Sequence, residues 1–367
     1  MNGDMPRRYD FDDKVLTSIV GGKSALDLTR LHFQTEEQAH QFVLSYGFDL
    51  SSAEQVEKLW YYHRRALVLL TEKLGFTLEE IPAVLRDRRE LGDLTKLLLM
   101  ASSYHPKDKD LQRWSCALLR AMHVFVHAEN DLFSSFSEEI QKQILSPFQD
   151  CLFTEGSTGT TYLKSPREQG ESIALNGFEI KPFKTSSSTV IKLLAKPDAY
   201  AMSVFDKLGV RFVTNDLFDT FRVVRFLVEE NLISFPHIMP DQSSNNLFPA
   251  DLFVEICRKM AMRPEPHTVE EMERKFQATL AERKDESGFL RKENSFSSED
   301  YRFIKFICRR LVRIPGGLQF FYPYEVQLMD AQAHLKILSG PSHHQAYKER
   351  QRSAARKRLF PDHEPKV

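Results

Sequence analysis

Several common signatures of function are absent from this chain. It has 4 cysteines in 367 residues, at positions 116, 151, 257 and 308, and no CxxC pair. Neither a thiolate zinc site nor a disulfide framework is therefore indicated, and a reducing cytoplasm is the expected compartment. No Gly-rich loop of Walker or dinucleotide type occurs, which removes two familiar nucleotide-binding folds. No apolar run approaches the roughly 20 residues that span a bilayer, so no membrane partner is expected. Residues 1–14 carry Asp4, Arg7, Arg8 and Asp10 and lack the apolar centre of a secretory leader. Charge of one sign is missing too: 50 Lys and Arg stand against 51 Asp and Glu, so any basic site must be local.

The residues that are present describe a folded chain of two domains. Apolar residues are 42% and charged residues 28%, ordinary for a globular protein, and the length exceeds what one core usually supports. Residues 24–146 read as helical. Thr35 with Gln38, Ser52 with Gln55 and Thr77 with Glu80 have the spacing of capping boxes, and Val56, Leu59, Trp60, Ala66, Leu67 and Leu70 form a stripe that Gly75 closes. Another helix is expected over 110–129. Near Cys151 the composition turns to Gly, Ser and Thr and strand-like segments follow. Strands are expected over 210–214, 301–312 and 319–328, and helices over 216–230 and 342–358. The fold class is α+β: an N-terminal all-helical domain, then a mixed sheet covered by helices. The expected organisation is a flexible segment 1–22, a helical domain 23–150, a sheet domain 151–348 and a basic tail 349–367. A charged insertion, 251–298, in which Thr268 and Glu271 open a helix, reads as a lid or exposed arm.

Chemistry is most legible in the strand around Glu325. Side chains alternate along a strand, so Tyr322, Tyr324, Val326 and Leu328 share one face while Glu325 and Gln327 share the other. A half-exposed strand with a polar outer face has the same pattern. Asp206, just before the strand at 210–214, could converge with Glu325 on a hard-oxygen site suited to magnesium with bound phosphates, or could simply shape the turn with Gly209.

These two segments resemble the synthetase domain of RelA/SpoT-type alarmone synthetases over residues 180–350. Asp206, Leu208, Gly209, Val210 and Arg211 look like the family's segment that begins with a metal-binding aspartate and enters a strand carrying arginine. Glu325, Val326 and Gln327 look like the start of its Glu-Ile-Gln-Ile-Arg-Thr motif. Tyr301 and Lys305 lie where the family stacks a tyrosine on guanine, and His343, His344, Tyr347 and Lys348 resemble its closing histidine and Tyr-Lys pair. Lys181, Lys184, Lys192 and Lys196 occupy the region that holds the phosphates of ATP. The resemblance implies Mg2+-dependent pyrophosphate transfer from ATP to a ribose 3′-hydroxyl of a guanine nucleotide or of tRNA. Asp206 and Glu325 would hold the metal, with Arg211 on phosphate, Gln327 orienting groups beside Glu325, and Lys305, His344 and Lys348 among the substrate contacts. Met329 and Asp330 replace the family's Arg and Thr, and Lys305 replaces a histidine. Lysine lacks the bidentate fork of arginine, so a catalytically inactive nucleotide-binding or protein-interaction module on the same fold is the alternative.

Two other features invite a function. His123 and His127 are one helical turn apart, a spacing that suits a metal or two structural histidines; the Glu of HExxH is missing, as is the family's hydrolase His-Asp pair. Lys348, Arg350, Arg352, Arg356, Lys357 and Arg358 form a basic run that suits RNA phosphates or a solvated helix end.

Overall fold

The computed structural model describes residues 20, 24–129, 132–168, 170–181, 186–196, 204–262, 267–282, 289–290, 302–339 and 344–361. Its longer helices are α1 Glu36–Tyr46, α2 Ala53–Val68, α3 Thr95–Ala101, α4 Lys109–Glu129, α5 Leu132–Asp150, α6 Ser186–Ala195, α7 Leu217–Glu229, α8 Ala250–Ala261, α9 Val269–Glu282, α10 Ala331–Ser339 and α11 His344–Leu359. Its strands are β1 Leu152–Thr154, β2 Thr161–Lys164, β3 Ser172–Lys181, β4 Gly209–Thr214, β5 Ser244–Asn245, β6 Ile304–Arg313 and β7 Gln319–Asp330. They form two compact units. One holds 1–131, 185–203 and 349–367; the other holds 132–184 and 204–348. Among the described residues no helix is long and apolar enough to cross a membrane.

The helical unit follows its local signals. Thr35 Oγ1 accepts from the Gln38 N–H at 3.2 Å, Ser52 Oγ from Gln55 at 3.4 Å, and the Glu80 carboxylate from Thr77 at 2.6 Å. After α2 the chain makes one π turn, Leu69–Lys73, and reverses at Gly75, whose φ of +71° suits glycine. Trp60, Leu70, Phe76, Trp114 and Phe125 are buried here. The end of the chain completes this core. Phe360 packs 4.4 Å from Trp114 and 5.2 Å from Phe76, measured between ring centres. Arg356 donates to the carbonyls of Leu74 and Gly75 at 2.9 and 3.0 Å, and Arg358 grips Asp27 at 2.7 and 3.1 Å. Two cations of the basic run are thus spent on internal contacts, while Lys348, Arg350 and Lys357 are exposed.

The sheet unit is a mixed sheet in the order β1-β2-β3-β4-β7-β6-β5. The β4–β7 pair is parallel and the others are antiparallel. On one face Val210, Phe212, Val326, Leu328 and Tyr324 pack against Ile140, Ile144 and Phe148 of α5 and Val223 and Phe226 of α7. The composition shift at Cys151 therefore comes one helix after the crossing between units, because α5 looks like any amphipathic helix in sequence yet buries its stripe on the sheet. On the other face Val213 and Met329 meet Leu252 and Ile256 of α8 and Phe276 of α9. The described part of the charged stretch 251–298 is consequently not an exposed arm. Its charges hide an apolar stripe that caps one end of the sheet, and Thr268 and Glu271 close the capping box of α9 at 3.2 and 3.1 Å. The Asp216 side chain caps α7 by accepting from Asp219 at 2.7 Å.

Candidate functional site

Strand register brings the polar residues together. One row across the sheet aligns Lys181, Gly209, Glu325 and Ile307; the next aligns Glu179, Arg211, Gln327 and Lys305. Residues paired in register point to the same side, so these rows lie next to each other on the face opposite Tyr324 and Val326. The alternation expected for 322–328 holds. The face is not an open outer surface, however: Glu325 is 4% exposed and Gln327 1%.

Burial of a carboxylate demands compensation, and two lysines supply it. The Lys181 ammonium pairs with Glu325 Oε1, and Lys305 Nζ stands 3.8 Å from Oε2. Gly209 makes the first contact possible. A Cβ at that position would sit 2.9 Å from the Glu325 carbonyl oxygen and 3.4 Å from Lys181 Cδ, closing the path of the lysine stem. One row over, Arg211 donates through Nε to Gln327 Oε1 at 3.0 Å and through Nη1 to Glu179 Oε2 at 2.8 Å. His334 of α10 approaches Glu179 Oε1 at 3.6 Å. The guanidinium is therefore tied to both neighbouring strands, β3 through Glu179 and β7 through Gln327.

Asp206 belongs to the turn that enters β4. That turn is tied to the same place, since the Glu325 N–H donates to the Leu208 carbonyl at 2.9 Å, and Lys207 is buried within it. Lys181, Arg211, Lys305, Glu325 and Gln327 thus share one polar patch with the Asp206 turn beside it. Lys192 and Lys196, at the end of α6, belong to the helical unit. His344 starts α11 and Lys348 is exposed on that helix. Lys184, Tyr301 and His343 lie outside the described residues.

No protein-family model and no curated protein matches the chain. Among solved structures it is similar to the small alarmone synthetase 1 from Bacillus subtilis, solved bound to its product pppGpp, at 12% identity and a TM-score of 0.28, covering 51% of this chain and 74% of that one. It is also similar to the small alarmone synthetase 2 from Bacillus subtilis, at 12% identity and a TM-score of 0.26, covering 63% and 88%.

Metal chemistry is constrained by the donors. Among the described residues no group of three or more His, Cys, Asp and Glu side chains converges on a common point. Glu325, with an ammonium group at each oxygen, is not part of a ready cage for a bare divalent ion. Its lysines suit phosphate oxygens, which could in turn bring an ion with them. The His123 and His127 pair is explained by packing: their ring centres are 4.5 Å apart, and the Tyr46 hydroxyl lies 2.7 Å from His123 Nδ1. Burial pushes the His123 pKa down to about 4. Glu129 pairs with Arg65 at 3.1 Å instead of joining the histidines.

Glu179, His334 and Lys207 are members of this neighbourhood that the sequence reading passed over. Glu179 had a signal, since it precedes Lys181 by two residues and so shares its face of the strand. His334 had none, because only the turn from β7 into α10 returns it to the patch.

Proposed function

We propose that the polar rows form the nucleotide site of a nucleotidyltransferase-like pyrophosphokinase. It would act in the cytoplasm, moving pyrophosphate from ATP to the ribose 3′-hydroxyl of a guanine nucleotide or of tRNA. The observation that supports this reading is a buried carboxylate between two lysines, with a fixed arginine on the adjacent row. Lysines that pair with Glu325 in the resting chain can turn to incoming phosphates, and the carboxylate they release then faces the same phosphates. The resemblance of the segments around Asp206 and Glu325 supports this choice of chemistry.

In this scheme the acceptor oxygen forms a bond to the β-phosphorus of ATP while the bond from that phosphorus to the α,β-bridging oxygen breaks. AMP leaves with the bridging oxygen, and the hydroxyl proton passes to water. Lys181 and Lys305 neutralise the transferred group, Arg211 holds an equatorial oxygen in line, and Gln327 fixes Arg211. Lys184 is a further phosphate contact that the resemblance implies, and Tyr301 the stacking residue for the acceptor. Asp206 and Glu325 would hold Mg2+ together with phosphate oxygens, and the ion would supply charge neutralisation on the triphosphate. With tRNA as acceptor, exposed Lys348, Arg350 and Lys357 would meet its backbone.

The test is incubation of the full chain with Mg2+, γ-labelled ATP and, in parallel, GDP, GTP and bulk tRNA. Transfer to one acceptor by wild type, reduced about a hundredfold or more in Asp206→Ala and Glu325→Ala, is the expected result. ATP binding with no transfer to any acceptor would reassign the patch to a nucleotide-binding module without turnover.

A further inference from the structure

The face that carries Glu325 does not end at the polar rows. Along β7 it continues through Pro323 to Phe321, and along β6 through Arg309 and Leu311, with Arg309 opposite Pro323 and Leu311 opposite Phe321. Burial fades in the same direction, so that Phe321 is 47% exposed. The ring is braced from the side. His237, from the short turn Phe235–His237, meets it edge-on with centres 4.9 Å apart and planes at 71°, and the Arg309 guanidinium lies 5.7 Å from its centre. A lone exposed aromatic needs no explanation, but one in contact with both an imidazole and a guanidinium presents an oriented π surface. Leu311, Arg313 and Gln319 complete this stretch of the face, which holds two arginines and no acid.

Phe321 lies four residues before Glu325 in the same strand, a separation of about 13 Å at the usual rise. That matches the reach from base to terminal phosphate in an extended nucleoside triphosphate. We propose that Phe321, braced by His237 and Arg309, stacks on the purine base of a mononucleotide whose phosphates reach Lys181 and Lys305. The proposal rests on the nucleotide reading of the same face and adds the residues that hold the base. A mononucleotide is the occupant because, among the described residues on this stretch of β6 and β7, Phe321 is the one exposed aromatic ring, whereas single-stranded RNA is bound by aromatic rings that stack successive bases along a basic groove.

Isothermal titration of the full chain with ATP, GTP, inorganic tripolyphosphate and a short single-stranded RNA tests this. Phe321→Ala should weaken at least one purine nucleotide by about 5- to 150-fold, the worth of one base stacked on one ring. Phe321→Trp should keep the affinity, and tripolyphosphate should bind all three proteins alike. Unchanged nucleotide affinity in Phe321→Ala would overturn the proposal, as would an equal loss for tripolyphosphate or a loss confined to RNA. The two readings separate cleanly. Phe321-dependent binding without pyrophosphate transfer leaves the stacking site and sinks the transfer; transfer with an unchanged KM in Phe321→Ala does the reverse.

Discussion

Removing the Lys181 ammonium should open the centre of the sheet unit. In Lys181→Met the side chain keeps most of its length, so packing beside Gly209 changes little, but the 4% exposed Glu325 carboxylate loses its nearer cation. Deleting one partner of a buried pair costs about 3–5 kcal/mol. The cost here belongs at the low end, near 3 kcal/mol, because Lys305 remains 3.8 Å away and Lys181 is 22% exposed. Amide hydrogen exchange reads this where it occurs. The Glu325 N–H bonds to Leu208, and the amides of β4 and β7 lie in the centre of the sheet. A loss of 3 kcal/mol should speed their exchange by about two orders of magnitude where they exchange by opening of this unit. Lys181→Met combined with Glu325→Gln should recover most of the loss, since no buried charge is then left alone. Exchange within threefold of wild type in the single variant would refute the reasoning, because Glu325 would then not depend on Lys181.

Gly209→Ala should destabilise the sheet unit by about 1–3 kcal/mol, since its Cβ would fall 2.9 Å from the Glu325 carbonyl oxygen; the midpoint of chemical unfolding followed by circular dichroism checks it. Burial pushes His63 and His123 down to about 4 from an ordinary 6.5. The unfolded chain therefore takes up protons first as pH falls. Stability of the helical unit is whole above pH 6.5 and declines towards pH 4, by at most about 1.4 kcal/mol per pH unit for each histidine. Tryptophan fluorescence in urea reports this, since Trp60 and Trp114 both lie in that unit, and a flat profile across the window would contradict it. Arg358→Ala should cost the same unit roughly 2 kcal/mol through its lost charged hydrogen bonds to Asp27, measured by the same fluorescence transition.

The fold was legible where a periodicity stood alone. The alternation through Tyr322, Glu325, Val326 and Gln327 told which side chains share a face, and the capping residues Thr35, Ser52 and Thr268 located helix starts to within a residue. What alternation cannot tell is what lies above a face. Glu325 and Gln327 were assigned to the correct side, yet their burial depends on lysines that strand pairing alone delivers: Lys181 is 144 positions away in sequence. The same limit explains α5, whose stripe could serve a helix or a sheet. It also explains α8 and α9, whose many charged residues of both signs concealed Leu252, Ile256 and Phe276. Lys192 and Lys196 were grouped with Lys181 by proximity in sequence, and the fold carries them on and just after α6, within the helical unit. Phe321 drew no attention as a site because an aromatic in a strand is ordinarily core; only its exposure and its neighbours His237 and Arg309 distinguish it.

The central claim is that the patch around Glu325 moves an intact pyrophosphate. Parallel reactions with ATP labelled at the α- or the γ-phosphate, run with the acceptor found for wild type, test it most directly. The account predicts that the γ-label enters the acceptor, that the α-label appears only in AMP, that AMP and product form in equal amounts, and that Glu325→Gln forms neither. Release of the γ-label as free phosphate with ADP, or unchanged product formation in Glu325→Gln, would contradict it.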